Sequence, residues 1–222
     1  MEFPLVTAAQ RAGEGDRLGP PWDRGEAVEV PLLASAPVES VIAARGSQRR
    51  MDASRGLSQD LLRTCMSVAL RGLGLPHWVV VHDVAGLAPG VYRWPSLAAP
   101  VRAGALRDEL YRVCLDQALG RDAAFVAIAA TDLEKLSDPA YRDAHLAAGL
   151  AEGRLHLAAY ALGASASGMA VLKSLTNAAC EAASLGGRTK TRLLVVLARR
   201  RPASQLEETA TPPDIVSLHS QL

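Results

Sequence analysis

The stretch from Tyr141 to Leu162 constrains this chain most. No proline interrupts it, and leucine recurs at 146, 150, 155, 157 and 162 among closely spaced alanines. Apolar residues at those positions cover more than one face of an α-helix, so the helix must be covered by several neighbours or by another chain. Gly163 follows and supplies a stop signal.

Strand patterns lie on either side of this helix. Trp78 to Val84 is a β-branched run, and Gly86, Pro89 and Gly90 turn it toward a short second strand, Val91 to Trp94. Ala123 to Ala130 is an apolar run of central-strand length, and Arg192 to Ala198 reads as another strand. Helical spacing marks a short segment from Pro37 to Gly46. A clearer helix, Gln59 to Gly72, is capped by Ser58 and buries Leu61, Leu62, Cys65 and Met66. The segment 105–119 reads as one amphipathic helix, and 174–184 allows another. Separated strands with helices between them predict an α+β fold: a small mixed or antiparallel sheet packed with helices around a long central helix. Residues 1–36, punctuated by glycine and proline, read as an N-terminal arm without a sustained period. Residues 37–201 form the domain, and 202–222 a polar C-terminal tail with one apolar patch, Ile215 to Leu218.

Charge and cysteine usage narrow the function classes. The formal net charge is +1, which argues against nucleic acid as a main partner. The three cysteines, Cys65, Cys114 and Cys180, are far apart and form no metal-ligand spacing, so no zinc site is expected and a reducing cytoplasm is. No cleavable apolar leader is read at the N-terminus, and no apolar run is long enough to span a bilayer. Asp132, Glu134, Asp138 and Asp143 make no catalytic pair, and Ser165 and Ser167 lack a nucleophile elbow. The sequence therefore names no catalytic acid, base or nucleophile.

Three constellations carry chemistry. Arg45-Gly46-Ser47-Gln48-Arg49 places two guanidinium groups around a hydroxyl at the end of a short helix, a donor set that suits a phosphomonoester. Such a cluster at a helix end can equally be solvated and complement the helix dipole. Val84-Ala85-Gly86-Leu87-Ala88-Pro89-Gly90-Val91-Tyr92 is a hairpin with turn residues in place. After the long helix comes Gly163-Ala164-Ser165-Ala166-Ser167-Gly168, small residues that let a flat ligand approach the backbone, or that simply make a glycine cap and a tight connection.

In this order, over roughly residues 37–170, the three resemble the nitroreductase superfamily, and most of all its SagB-type dehydrogenases, which include azoline oxidases of peptide-modifying clusters. The resemblance implies a dimeric fold with FMN bound between subunits. It also implies hydride transfer through the flavin N5, with an azoline-containing peptide or a small electron acceptor as substrate. Arg45, Ser47 and Arg49 would hold the phosphate and ribityl end. Gly163, Ala164, Ser165, Ser167 and Gly168 would lie in a loop at the isoalloxazine edge, whose backbone N–H groups would tune N5. Gln117 would add a polar contact, and Arg199 or Arg200 could reach the phosphate. A general nitro- or quinone reductase is compatible with the same motifs. The connection 73–78 and the segment 171–190 depart from the family pattern, which motivates a second reading: a flavin-free scaffold or binding subunit of a peptide-modifying complex. The apolar surplus of the long helix, with the patches Val28–Leu33 and Ile215–Leu218 in the two arms, points to a homodimer.

Overall fold

The computed structural model describes residues 3–12, 14, 22–129, 136–170 and 194–200; for 169–170 and 194–200 the backbone alone is considered. The expected helix at 174–184, Cys180 and the tail patch 215–218 lie outside these residues.

Among the described residues one antiparallel sheet has six strands in the order β3-β2-β1-β4-β6-β5. The strands are β1 (His77–Val81), β2 (Gly90–Arg93), β3 (Arg102–Ala103), β4 (Phe125–Ala129), β5 (Ala164–Ala170) and β6 (Leu194–Arg200). β1 and β4 sit centrally in register from His77↔Ala129 to Val81↔Phe125. The α+β expectation holds, and the sheet is antiparallel rather than mixed. Side-chain alternation splits the core in two. Val79, Val81, Tyr92, Phe125 and Ala127 point to one face, beneath α3 (Gln59–Leu70) and α6 (Asp138–Ala161). Trp78, Val80, Val91, Val126 and Ile128 point to the other, where Leu106, Leu110 and Val113 close over them.

Local rules account for the helices. Ser58 caps α3 by accepting from the Leu61 N–H at 3.2 Å, and Leu62, Cys65, Met66 and Ala69 are fully buried. Ser137 accepts the Ala140 N–H in the first turn of α6, and Pro139 lies in that turn. α6 ends where the Gly163 N–H donates to the Tyr160 carbonyl and Gly163 takes φ +73°, a conformation that costs any side chain.

Four expectations need correction. α6 is buried along one stripe, Ala147, Ala151, Leu155, His156 and Ala159, not nearly all round, and Leu146 stays exposed. The helix expected over 105–119 breaks into α4 (Arg107–Val113) and α5 (Ala118–Asp122), because Leu115 and Asp116 take positive φ. That reversal folds α5 back on α4, with Gly120 so tight against the Cys114 thiol that no side chain fits there. The arm is not devoid of period: Pro4–Ala12 forms α1, which buries none of its residues. The small-residue segment after α6 is strand β5, not a loop. The element α2 (Val38–Ala44) precedes the basic motif, as its spacing predicts. No helix among the described residues is long and apolar enough to cross a membrane.

Candidate functional site

β5 is the edge strand of the sheet, and the basic motif lies along its free side. α2 closes with the Arg45 N–H donating to the Val41 carbonyl at 2.9 Å. Three residues on, the Gln48 N–H donates to the Ala166 carbonyl at 3.0 Å, as an added strand would. The Ser47 and Ser167 hydroxyls meet at 3.0 Å. Ala164 and Ala166 belong to the core beneath α3 and α6, so Ser165 and Ser167 point to the opposite sheet face, both buried. Arg45, Ser47 and Arg49 remain exposed. β6 completes the neighbourhood, pairing Arg199 with Ser165 and Arg200 with Ala164.

The sequence-predicted residues therefore converge, with one exception. Arg45, Ser47, Arg49, Gly163, Ala164, Ser165, Ser167 and Gly168 lie at one sheet edge, with the backbone of Arg199 and Arg200 one strand inward. Gln117 does not join them. It is exposed at the N-cap of α5, in the helical layer over Trp78, Val126 and Ile128.

Solved structures with this architecture place it. No protein-family model matches the chain, and no curated protein matches it. Among solved structures, a protein from Anabaena variabilis assigned as a nitroreductase superposes with a TM-score of 0.62 at 25% identity, over 74% of this chain and 38% of its own. A second such protein, from Ralstonia eutropha, gives 0.58 at 16% identity, over 83% and 93%. A chain of the E. coli microcin synthetase McbBCD complex with truncated pro-MccB17 bound gives 0.54 at 15%, over 91% and 84%. The chain has the nitroreductase fold. It spans well under half the length of the Anabaena protein.

Within this nitroreductase fold, α6 brings to the same edge a stripe that was not read as a unit in the sequence. Glu152, His156 and Tyr160 are spaced i, i+4, i+8, one face of a helix. The Glu152 carboxylate lies over Gly168 so closely that a Cβ there would overlap it. His156 is buried, and its Nε2 has no hydrogen-bond partner. Burial lowers its pKa, the nearby Arg45 charge lowers it further, and a backbone hydrogen bond at Ala166 works the other way. The Tyr160 hydroxyl stands 3.7 Å from where a Cβ of Gly46 would be. Desolvation raises the Glu152 pKa. His145, earlier on α6, is exposed, and its ring lies against Tyr141 with centroids 4.3 Å apart and planes tilted by 44°.

The same edge offers two exposed guanidinium groups, a hydroxyl pair and a segment of small residues. That is a donor set for a phosphate monoester on a flat aromatic molecule. The two thiols among the described residues are not reactive candidates: burial pushes Cys65 up to about 12 and Cys114 to about 11.

Proposed function

We propose that this chain binds FMN at the edge formed by β5 and the segment 45–49 and serves as an FMN-dependent oxidoreductase of the SagB-like, nitroreductase type. One observation carries the proposal: two motifs separated by 120 residues meet through the Ser47–Ser167 hydroxyl contact. Arg45, Ser47 and Arg49 hold the phosphate and ribityl end, with Arg199 or Arg200 reaching the phosphate. The backbone of Gly163 to Gly168 lies at the ring edge. The bound flavin supplies hydride and electron transfer. The protein binds and orients it, and the substrate is an azoline-containing peptide or a small electron acceptor. The microcin synthetase likeness is at the level of fold, and a peptide-modifying partner is part of the proposal on the strength of the sequence motifs. We place the protein in the cytoplasm as a homodimer, with a domain at 37–201 flanked by the arm 1–36 and the tail 202–222.

A second reading, a flavin-free scaffold or binding subunit, draws on a different observation. Ser165 and Ser167 are 1% and 4% exposed, and the Ser47 and Ser167 hydroxyls already satisfy each other. The experiment that separates the two is flavin binding. The purified chain should show oxidised-flavin absorption, or should quench added FMN on titration. Changing both Arg45 and Arg49 to Ala should weaken that binding, at roughly 1.5–3 kcal/mol for each lost charged hydrogen bond. Because both side chains are exposed, the melting temperature should hardly move. A colourless chain that binds no FMN would favour the scaffold. Equal affinity in the double variant would remove the phosphate assignment.

A further inference from the structure

His156 has no assigned role in the reading above, yet it is the most unusual polar group in the site. Its Nε2 is buried without a partner, on the α6 stripe that faces β5. A buried imidazole nitrogen left alone normally costs stability, and is retained where its protonation is used. The groups around it define the charge it feels. On α6 itself Glu152 and Tyr160 lie one turn to either side. Arg45 stands at the end of α2, which also carries Glu39. The described side chains of β5 are Ala, Ser and Gly, none of them titratable, and β6 brings the backbone of Arg199 and Arg200 opposite Ser165 and Ala164. α3, packed along α6, carries Asp60 and Arg63. Arg45 is the charge that opposes protonation of His156.

We infer that His156 is a proton-linked member of the anion site: when a phosphate monoester docks on Arg45, His156 takes up a proton and strengthens the hold. The inference rests on the proposed phosphate position. The physical steps are short. Without an anion, burial and then the facing Arg45 charge both disfavour the imidazolium, so the imidazole stays neutral. A dianion on Arg45 cancels that repulsion and favours a second positive charge. The proton comes from solvent, and no covalent bond changes. By linkage, a group that binds its proton more tightly in the complex makes affinity rise as pH falls between its two pKa values. Each unit of pKa rise on binding is worth a factor of ten in affinity across that window. His156 thereby favours FMN over riboflavin, which has the same ring and no phosphate.

The test is calorimetric titration of the full chain, freed of flavin, in buffers of different ionisation enthalpy, comparing wild type with His156→Gln. The probes are FMN and riboflavin. The FMN phosphate titrates near pH 6 on its own, so the difference between the two proteins isolates His156. The expected result is a larger proton uptake with FMN in the wild type than in H156Q, and no difference with riboflavin. FMN affinity of the two proteins should agree near pH 8.5 and diverge by up to about tenfold near pH 6.5 in favour of the wild type. Imidazole NMR of the wild type, with and without FMN, gives an independent readout should H156Q fold poorly: the His156 titration should move up on binding. An unmoved titration, equal proton counts, or equal uptake with riboflavin overturns the inference while FMN binding weakened by Arg45→Ala leaves the site reading intact. If FMN does not bind at all, both fall.

Discussion

The hydroxyl oxygens of Ser47 and Ser167 lie 3.0 Å apart, joining the end of α2 to the edge of the sheet. The contact reinforces the Gln48-to-Ala166 backbone hydrogen bond beside it, so the basic segment is held as an extra extended element along β5. Ser167 is buried and Ser47 exposed, so removing either partner leaves a different cost. Ser47→Ala, which leaves the buried Ser167 hydroxyl without its partner, should lose about 1–3 kcal/mol, Ser167→Ala about 1 kcal/mol or less, and the double change clearly less than the sum. Urea unfolding of the four proteins measures this. Strict additivity would mean that the hydroxyls do not couple.

Gly168 has a reason independent of any ligand. The Glu152 carboxylate occupies the space a side chain would need. Gly168→Ala should therefore destabilise the fold by about 1–3 kcal/mol, and Glu152→Ala in the same chain should restore most of that. The check is a double-mutant cycle by denaturant unfolding. A Gly168→Ala chain as stable as the wild type would show that Glu152 swings away without cost. FMN affinity measured in the rescued pair then reports on the ring's approach to β5.

His82 makes stability depend on acid. Its Nε2 lies 3.0 Å from the Gly120 carbonyl while its Nδ1 is buried without a partner. Burial, aided by the Arg107 charge, lowers its pKa to about 4, against the opposing effect of the Gly120 hydrogen bond. The unfolded chain, with an ordinary imidazole near 6.5, binds the proton more tightly than the folded one. Stability from this group is therefore whole above pH 6.5 and is lost as pH falls from there toward 4. The full loss is on the order of 3 kcal/mol. His77 and His156, also lowered by burial, act in the same direction. His82→Gln should flatten the fall in melting temperature between pH 6.5 and 4. A slope identical to that of the wild type would place the acid sensitivity elsewhere.

The exposed part of α6 is where the proposed dimer should be sensitive. Leu146 is 49% exposed, while Ala147, Ala151 and Leu155 turn inward. Placing a charge there, Leu146→Glu, should shift a dimer toward monomer without lowering the stability of the folded chain by more than about 0.5 kcal/mol. Light scattering at micromolar concentration is the measurement. A full-length chain that is already monomeric would sink the dimer. A chain ending at Pro202 that dimerises equally well would remove the tail from the interface and leave the helix in it.

Local chemistry was enough for much of this protein. Ser58 and the apolar face from Leu61 to Ala69 announce α3, because a cap and a 3.6-residue period act within one segment. The β-branched run at Trp78–Val81 announces β1, and Gly163 announces the end of α6, for the same kind of reason. The motif order around Arg45 and Gly163 was legible as a family resemblance, and with it the fold. What sequence could not settle were questions of partners distant along the chain. Ala164 to Gly168 consists of small residues with no strand signature; it is part of a strand because β6 supplies the ladder from Ala164↔Arg200 to Ala170↔Leu194. The break at Leu115 and Asp116, which carries no glycine or proline, accompanies the packing of Gly120 on Cys114. Gln117, directly after that break, sits at the N-cap of α5 and not beside Ser47 and Ser167 at the sheet edge. Glu152, His156 and Tyr160 are unremarkable by spacing alone, since a polar stripe on a helix usually faces water. Only the tertiary structure decided otherwise: it laid that stripe against β5 and the Arg45 segment, where burial removes the water that would otherwise have satisfied the imidazole.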